Sequence, residues 1–145
     1  MPTAAILPGY NEADTIQSVI ESTKRFVDDV IYVDDGSEDN SVALAKKTGA
    51  KVYRLEHNMG KGFALRTGFN KALEKDYEQI VVLDTDGQHD ARYIPRFLDA
   101  LNEADIVIDS RYAGRFYTVS RNIIGNFGLN FITNMLSYGF YGMYK

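Results

Sequence analysis

From residue 3 to residue 108, short β-branched apolar runs alternate with segments of helical period, which limits the chain to one class of fold. Residues 3–7 (TAAIL), 29–33 (DVIYV), 51–55 (KVYRL), 79–83 (QIVVL) and 105–108 (DIVI) read as strands. Between them, 12–25, 38–48, 61–75 and 92–101 place apolar residues along one helical side. The set Ala64, Leu65, Gly68, Phe69, Ala72 and Leu73 shows this spacing best. Asn11 with Asp14 reads as a capping pair for the first helix, and Ser37 or Asp39 as the cap of the second. Such alternation predicts βαβ units and a mostly parallel α/β sheet flanked by helices. The run QIVVL has the unbroken apolar character of a central parallel strand.

At 145 residues the chain suits one domain, and its 45% apolar and 25% charged content is that of an ordinary globular protein. It has no cysteine, which excludes a disulfide scaffold, a Cys-type zinc site and a thiol nucleophile. The formal charge of −4 argues against a general nucleic-acid binder. The opening MPTAAILPGYNEAD lacks the basic flank and long apolar core of a secretory signal, so the expected compartment is the cytoplasm. Charge is unevenly spread. No acid follows Asp109, whereas Arg111, Arg115, Arg121 and Lys145 do, and Asn122 to Tyr144 carries no charge at all. Asn122, Asn126, Asn130 and Asn134 interrupt that apolar stretch, so it is a poor membrane span. Residues 118–136 read as a helix needing a partner: the domain itself, a second copy or a membrane surface.

In open parallel sheets ligands bind beyond the carboxyl ends of the strands, near the switch point in strand order. The chemistry-bearing residues fall there: Pro8-Gly9-Tyr10-Asn11-Glu12, Asp34-Asp35-Gly36-Ser37, Asp84-Thr85-Asp86-Gly87-Gln88-His89-Asp90 and Asp109-Ser110-Arg111. One carboxylate at a strand end serves equally as a helix cap or turn residue. Asp84 and Asp86 at alternate positions of an extended segment are better explained by a shared cation, since two close anions repel. Hard oxygen ligands of this kind suit Mg²⁺ or Mn²⁺ completed by phosphate and water. Zinc would need more nitrogen or sulfur ligands than His57 and His89 supply. Gln88 or His89 would instead meet a phosphate or support the metal. Asp34 and Asp35 before Gly36 are placed to accept from a ribose or a base, or to cap the next helix. Neither G-x-G-x-x-G nor the Walker string occurs, which disfavours dinucleotide binding and P-loop hydrolysis.

The strings LPGYNEADTI, VDDGSEDNS, HNMGKGFALRTGFNKA, VLDTDGQHDARYIP and DSRY, in this order, resemble family 2 nucleotide-sugar glycosyltransferases of GT-A (Rossmann-like) fold. Within that family the DGQHD form is similar to the dolichyl- or polyprenyl-phosphate sugar transferases. The resemblance implies a metal-dependent transfer of a hexose from a nucleoside diphosphate sugar, GDP-mannose or UDP-glucose, to dolichyl or polyprenyl phosphate. Pro8, Tyr10 and Glu12 would line the base pocket, Asp34 and Asp35 would serve the nucleoside, and Lys61 would shape the nucleotide site. Asp84, Asp86 and Gln88 would form the metal set, with Asp86, Arg111 and Arg121 carrying catalysis.

The resemblance further implies a nucleotide-sugar-binding core at 1–112, with 113–145 as a helical extension of the same domain. The uncharged aromatic stretch Asn122 to Tyr144 is expected to bury itself in an oligomer, most simply a dimer, and with Arg111, Arg115 and Arg121 to suit the cytoplasmic face of a membrane. Members of the family usually continue to a later acidic segment, so the C-terminal part is expected to be shortened. Asp109 stands where the family has glycine before Ser-Arg, and Ala91 where it commonly has proline. The competing functions are transfer to a saccharide and a non-catalytic sugar-nucleotide-binding protein. A nucleotidyltransferase would show a Gly- and Arg-rich loop after strand 1, which is missing.

Overall fold

The computed structural model describes residues 1–108 and, as backbone, 117–119. Thr3–Gly9 forms β1, Ile16–Thr23 α1, Asp29–Asp34 β2, Ser41–Lys47 α2, Lys51–Arg54 β3 and Lys61–Leu73 α3. Gln79–Val82 forms β4, Ile94–Ala100 α4, Ile106–Ile108 β5 and Tyr117–Val119 β6. A 3₁₀ turn at Ala91–Tyr93 leads into α4, and the Asp90 side chain caps it by accepting from the Arg92 N–H. The strands and helices expected over residues 3–108 are all present, each within about one turn of its expected bounds.

β1 to β4 form a parallel sheet in the order β3-β2-β1-β4. Gly9 lies beside Asp34 and Ile6 beside Val82. The chain builds outward from β1 to β3 and then crosses back to β4, so the order reverses at the β1–β4 edge. The period-2 alternation of β1 and β2 divides the core into two layers. Ala5, Leu7, Val30 and Tyr32 pack with α1 residues Ile16, Val19 and Ile20, while Ala4, Ile6, Ile31 and Val33 pack with α3 residues Ala64, Leu65 and Ala72. Each fully buried Ile or Leu contributes about 1.5–3 kcal/mol. Gly68 brings α3 close to the sheet: a Cβ there would lie 2.4 Å from Ile6 Cγ2.

Four details differ from the sequence expectation, the first being that α1 follows Thr15 with no side-chain cap hydrogen bond, so Asn11 and Asp14 do not cap it. β4 is not central: among the described residues it is an edge strand, and Val82 is exposed. Crossover direction, not an unbroken apolar run, sets strand order, and β2 and β1 take the inner places. β5 does not join the parallel sheet but pairs antiparallel with β6, Ile106 beside Val119. The helical reading of 118–136 fails at its start, because Thr118 and Val119 are extended. Tyr, Thr and Val favour strands. The rest of 118–136 lies outside the described residues.

Candidate functional site

The carboxyl ends of β1 and β4, the turn after β2 and the start of α3 enclose a cleft of about 240 Å³. Pro8, Gly9, Tyr10, Glu12, Asp35, Lys61, Ala64, Asp84, Thr85 and Asp86 line it. It therefore lies at the switch point of the sheet.

The β1–α1 loop is fixed to the β2–α2 loop by three successive amides. Asn11, Glu12 and Ala13 N–H donate to Ser37 Oγ at 2.8 Å, Ser41 Oγ at 2.8 Å and Asp39 Oδ2 at 3.0 Å. In return Asn11 Oδ1 accepts from the Glu38 N–H at 2.9 Å. Asn11 takes φ +56°, a left-handed conformation that asparagine tolerates better than most residues. This framework holds Tyr10, which is exposed, and Glu12 at the cleft. Asp39 thus serves the first turn of α2, accepting from the Ser41 N–H at 2.9 Å, while Ser37 serves Asn11. Partial burial pulls the Asp39 carboxyl upward, but hydrogen bonds from Ser41 and Ala13 outweigh it and hold it below the usual range.

Asp34 and Asp35 are both buried but face opposite sides of the sheet. Strand alternation sends Asp34 to the Tyr32 side and Asp35 to the α3 side. Asp34 is fully buried and does not line the cleft. It accepts from the Tyr32 hydroxyl at 3.1 Å and the Ser37 N–H at 3.0 Å, with Arg54 Nε at 3.5 Å. Burial, then the charge and hydrogen bond of Asp34, push the Tyr32 phenol well above its ordinary value, so it remains a donor. Asp35 lines the cleft and also accepts from the Met59 N–H at 2.7 Å and the Gly60 N–H at 2.8 Å.

Asp84 and Asp86 flank Thr85, which anchors both. The buried Thr85 hydroxyl donates to the Pro8 carbonyl at 3.1 Å, and the Thr85 carbonyl accepts from the Thr15 hydroxyl at 2.7 Å. Asp84 pairs with the Lys61 ammonium across the cleft. Asp86 Oδ1 accepts from the Gln88 N–H at 2.9 Å, so Gln88 supports Asp86 through its backbone, and its side chain is not part of the cleft lining. Asp90 is committed to Arg92, whose side-chain and backbone hydrogen bonds hold its carboxyl below the usual range. Among the described residues no group of three or more His, Cys, Asp or Glu is placed to hold a metal ion. Two carboxylates on an anchored loop beside an open cleft nevertheless fit a hard divalent ion that keeps water and takes phosphate oxygens, as Mg²⁺ does. Arg111, Arg115 and Arg121 lie outside the described residues.

Sequence reasoning missed Thr85, Thr15, Ser41 and Arg54. Hydroxyls inside motif strings are visible, but their long-range partners, such as Thr85 with Pro8, are set by the crossover.

This sheet, with its cleft at the switch point, is of the GT-A class. Glucosyl-3-phosphoglycerate synthase from Mycobacterium tuberculosis in complex with UDP superposes with a TM-score of 0.64 at 29% identity, covering 79% of this chain and 45% of that one. The chain belongs to glycosyl transferase family 2, whose model matches residues 4–141. The same synthase in complex with Mn²⁺, UDP and glucosyl-3-phosphoglycerate gives a TM-score of 0.59 at 28% identity, over 69% of this chain and 39% of that one. Undecaprenyl-phosphate mannosyltransferase of Micrococcus luteus is 33% identical over 118 residues, 77% of this chain and 49% of that protein. The chain spans about half the length of the curated relatives it matches. No helix of the described residues is long and apolar enough to cross a membrane.

Proposed function

We propose that this chain carries the donor site of a metal-dependent glycosyltransferase, which moves a hexose from a nucleoside diphosphate sugar to a polyprenyl phosphate. The observation that carries the reading is the convergence of Asp35, Lys61, Asp84 and Asp86 on one cleft at the switch point. Pro8, Tyr10 and Glu12 form the wall for the base, and Asp35, which lines the cleft, rather than Asp34, which does not, meets the nucleoside. Asp84 and Asp86 would hold a Mg²⁺ or Mn²⁺ ion, which would offset negative charge on the diphosphate. The Mn²⁺ and UDP complex of the related synthase supports this assignment.

In the reaction the bond between the sugar anomeric carbon and the diphosphate oxygen breaks, and the diphosphate leaves with its electron pair. An acceptor phosphate oxygen forms the new bond to that carbon. Such an acceptor is already anionic and needs little help from a general base. Lys61, with Arg111 and Arg121, supplies positive charge for the leaving diphosphate. The undecaprenyl-phosphate relative supports a lipid phosphate acceptor, met at a membrane surface by the basic and aromatic residues after 110. Asn122 to Tyr144 would bury its apolar surface against that membrane or a second copy, with the site on the cytoplasmic side.

The test offers GDP-mannose and UDP-glucose with Mg²⁺ or Mn²⁺, and compares a short-chain polyprenyl phosphate with free oligosaccharides. Transfer to the lipid phosphate, abolished by EDTA, is expected. Efficient transfer to the soluble sugar and none to the lipid would overturn the acceptor assignment.

A further inference from the structure

The Lys61–Asp84 ion pair links the two halves of the cleft. Its position is built by the chain before it. The buried Asp35 carboxylate clamps the Met59 and Gly60 amides at 2.7 and 2.8 Å. Gly60 takes φ +91°, a left-handed conformation that directs the chain into α3, and Lys61 is the first residue of that helix. Its side chain then reaches the Asp84 carboxylate, 23 residues further along the chain. The residue that faces the nucleoside and the residue offered to the metal therefore meet on the consecutive positions 60 and 61.

We propose that Lys61 is the internal counter-cation of the metal site: it competes with the divalent ion for Asp84 until a nucleoside diphosphate takes its ammonium. The inference rests on the metal and donor assignment above. With Lys61 on Asp84, an arriving ion meets a carboxylate already neutralised and a positive charge beside it. Hard cations bind according to the negative charge their ligands offer, so the metal alone binds weakly. A diphosphate reverses the balance, because its oxygens are strong acceptors for the ammonium and also supply ligands to the ion. Metal and donor then bind together, each raising the affinity of the other by the same factor. Lys61 is half exposed, which lets its side chain swing between the two partners without disturbing the core.

The experiment titrates Mn²⁺ into wild type, Lys61→Met, Lys61→Arg and Asp84→Asn, by electron paramagnetic resonance of free Mn²⁺, with no nucleotide and then with saturating UDP or GDP. K61M is expected to bind Mn²⁺ alone about tenfold more tightly than wild type, the scale of one removed competing charge at a half-exposed site. K61R, which keeps the charge, stays near wild type, and the enhancement of Mn²⁺ affinity by nucleotide shrinks in K61M. If D84N loses Mn²⁺ while K61M binds it no better than wild type, the competition is refuted and the metal assignment stands. Equal tightening in K61R and K61M also refutes it, since charge is then not the cause. Should D84N keep wild-type Mn²⁺ affinity, the metal assignment itself fails, and the inference with it.

Discussion

Replacing Asp34 and Asp35 separately should divide stability from binding. Asp34→Ala removes the acceptor of two interior donors, the Tyr32 hydroxyl and the Ser37 N–H, from a position with 0% exposure. Leaving such a donor unsatisfied costs about 1–3 kcal/mol. Arg54 adds little, because its side chain is 56% exposed and can turn to water. The loss is therefore about 2–6 kcal/mol, a large part of the ~5–15 kcal/mol that holds a domain together. Asp35→Asn keeps the shape and one acceptor oxygen for the Met59 and Gly60 amides, but sets an amide NH₂ against the other. Its stability loss should be smaller, about 1–2 kcal/mol, with the larger effect on nucleotide affinity. Urea unfolding gives the first quantity. Calorimetric titration with UDP and GDP in Mn²⁺, at a temperature where each variant is folded, gives the second. D34A is expected to lower the urea midpoint while binding nucleotide within about fivefold of wild type, and D35N to lose at least about tenfold in affinity. A D34A protein with the wild-type midpoint and no nucleotide binding would refute the assignment and return the nucleoside contact to Asp34.

Gly68→Ala should lose up to about 2 kcal/mol, because overpacking against Ile6 and Val33 costs about 1–3 kcal/mol against the ~1 kcal/mol gained in helix propensity. Thermal melting that shows stabilisation would mean α3 rides farther from the sheet. Thr85→Val should weaken Mn²⁺-dependent nucleotide binding, since the hydroxyl that ties the Asp84–Asp86 segment to Pro8 is gone; unchanged binding would show that this anchor is dispensable. Acid stability should depend on Asp29, which partial burial pulls upward but which Lys51 and Tyr77 hydrogen bonds bring below its ordinary 3.8. A carboxyl lowered by folding stabilises above pH ~4 and loses that contribution as pH falls through its folded value. Asp29→Asn should flatten this limb by less than about 1 kcal/mol, because both partners are over a third exposed; urea midpoints between pH 2 and 6 measure it.

Much of the fold was legible in the sequence because its period-2 and helical runs are clean. TAAIL and DVIYV became β1 and β2, and FALRTGFNKAL became the body of α3. Strand order was not legible. QIVVL looks central by composition, yet a crossover choice places it beside β1 at the edge of the described sheet. The site was legible as a set of strings at strand ends, and the structure brings Pro8, Tyr10, Glu12, Asp35, Lys61, Asp84 and Asp86 to one cleft. The division of Asp34 from Asp35 was hidden, because composition treats them alike and one residue of strand register sends one buried acceptor toward Tyr32 and the other to the cleft wall. Long-range side-chain bonds such as Thr85 to Pro8 and Lys61 to Asp84 were hidden for the same reason: they exist only once the sheet is assembled.

The proposed function requires this cleft to hold a nucleoside diphosphate and a divalent ion at the carboxyl ends of β1 and β4. The most direct measurement is an anomalous difference map from a crystal grown with Mn²⁺ and UDP or GDP. A Mn²⁺ peak is expected at the Asp84 and Asp86 carboxylates, with the nucleoside against Tyr10 and Asp35 and the Lys61 ammonium turned from Asp84 to the diphosphate. A nucleotide bound away from this cleft, or Mn²⁺ bound without either carboxylate, would contradict that function.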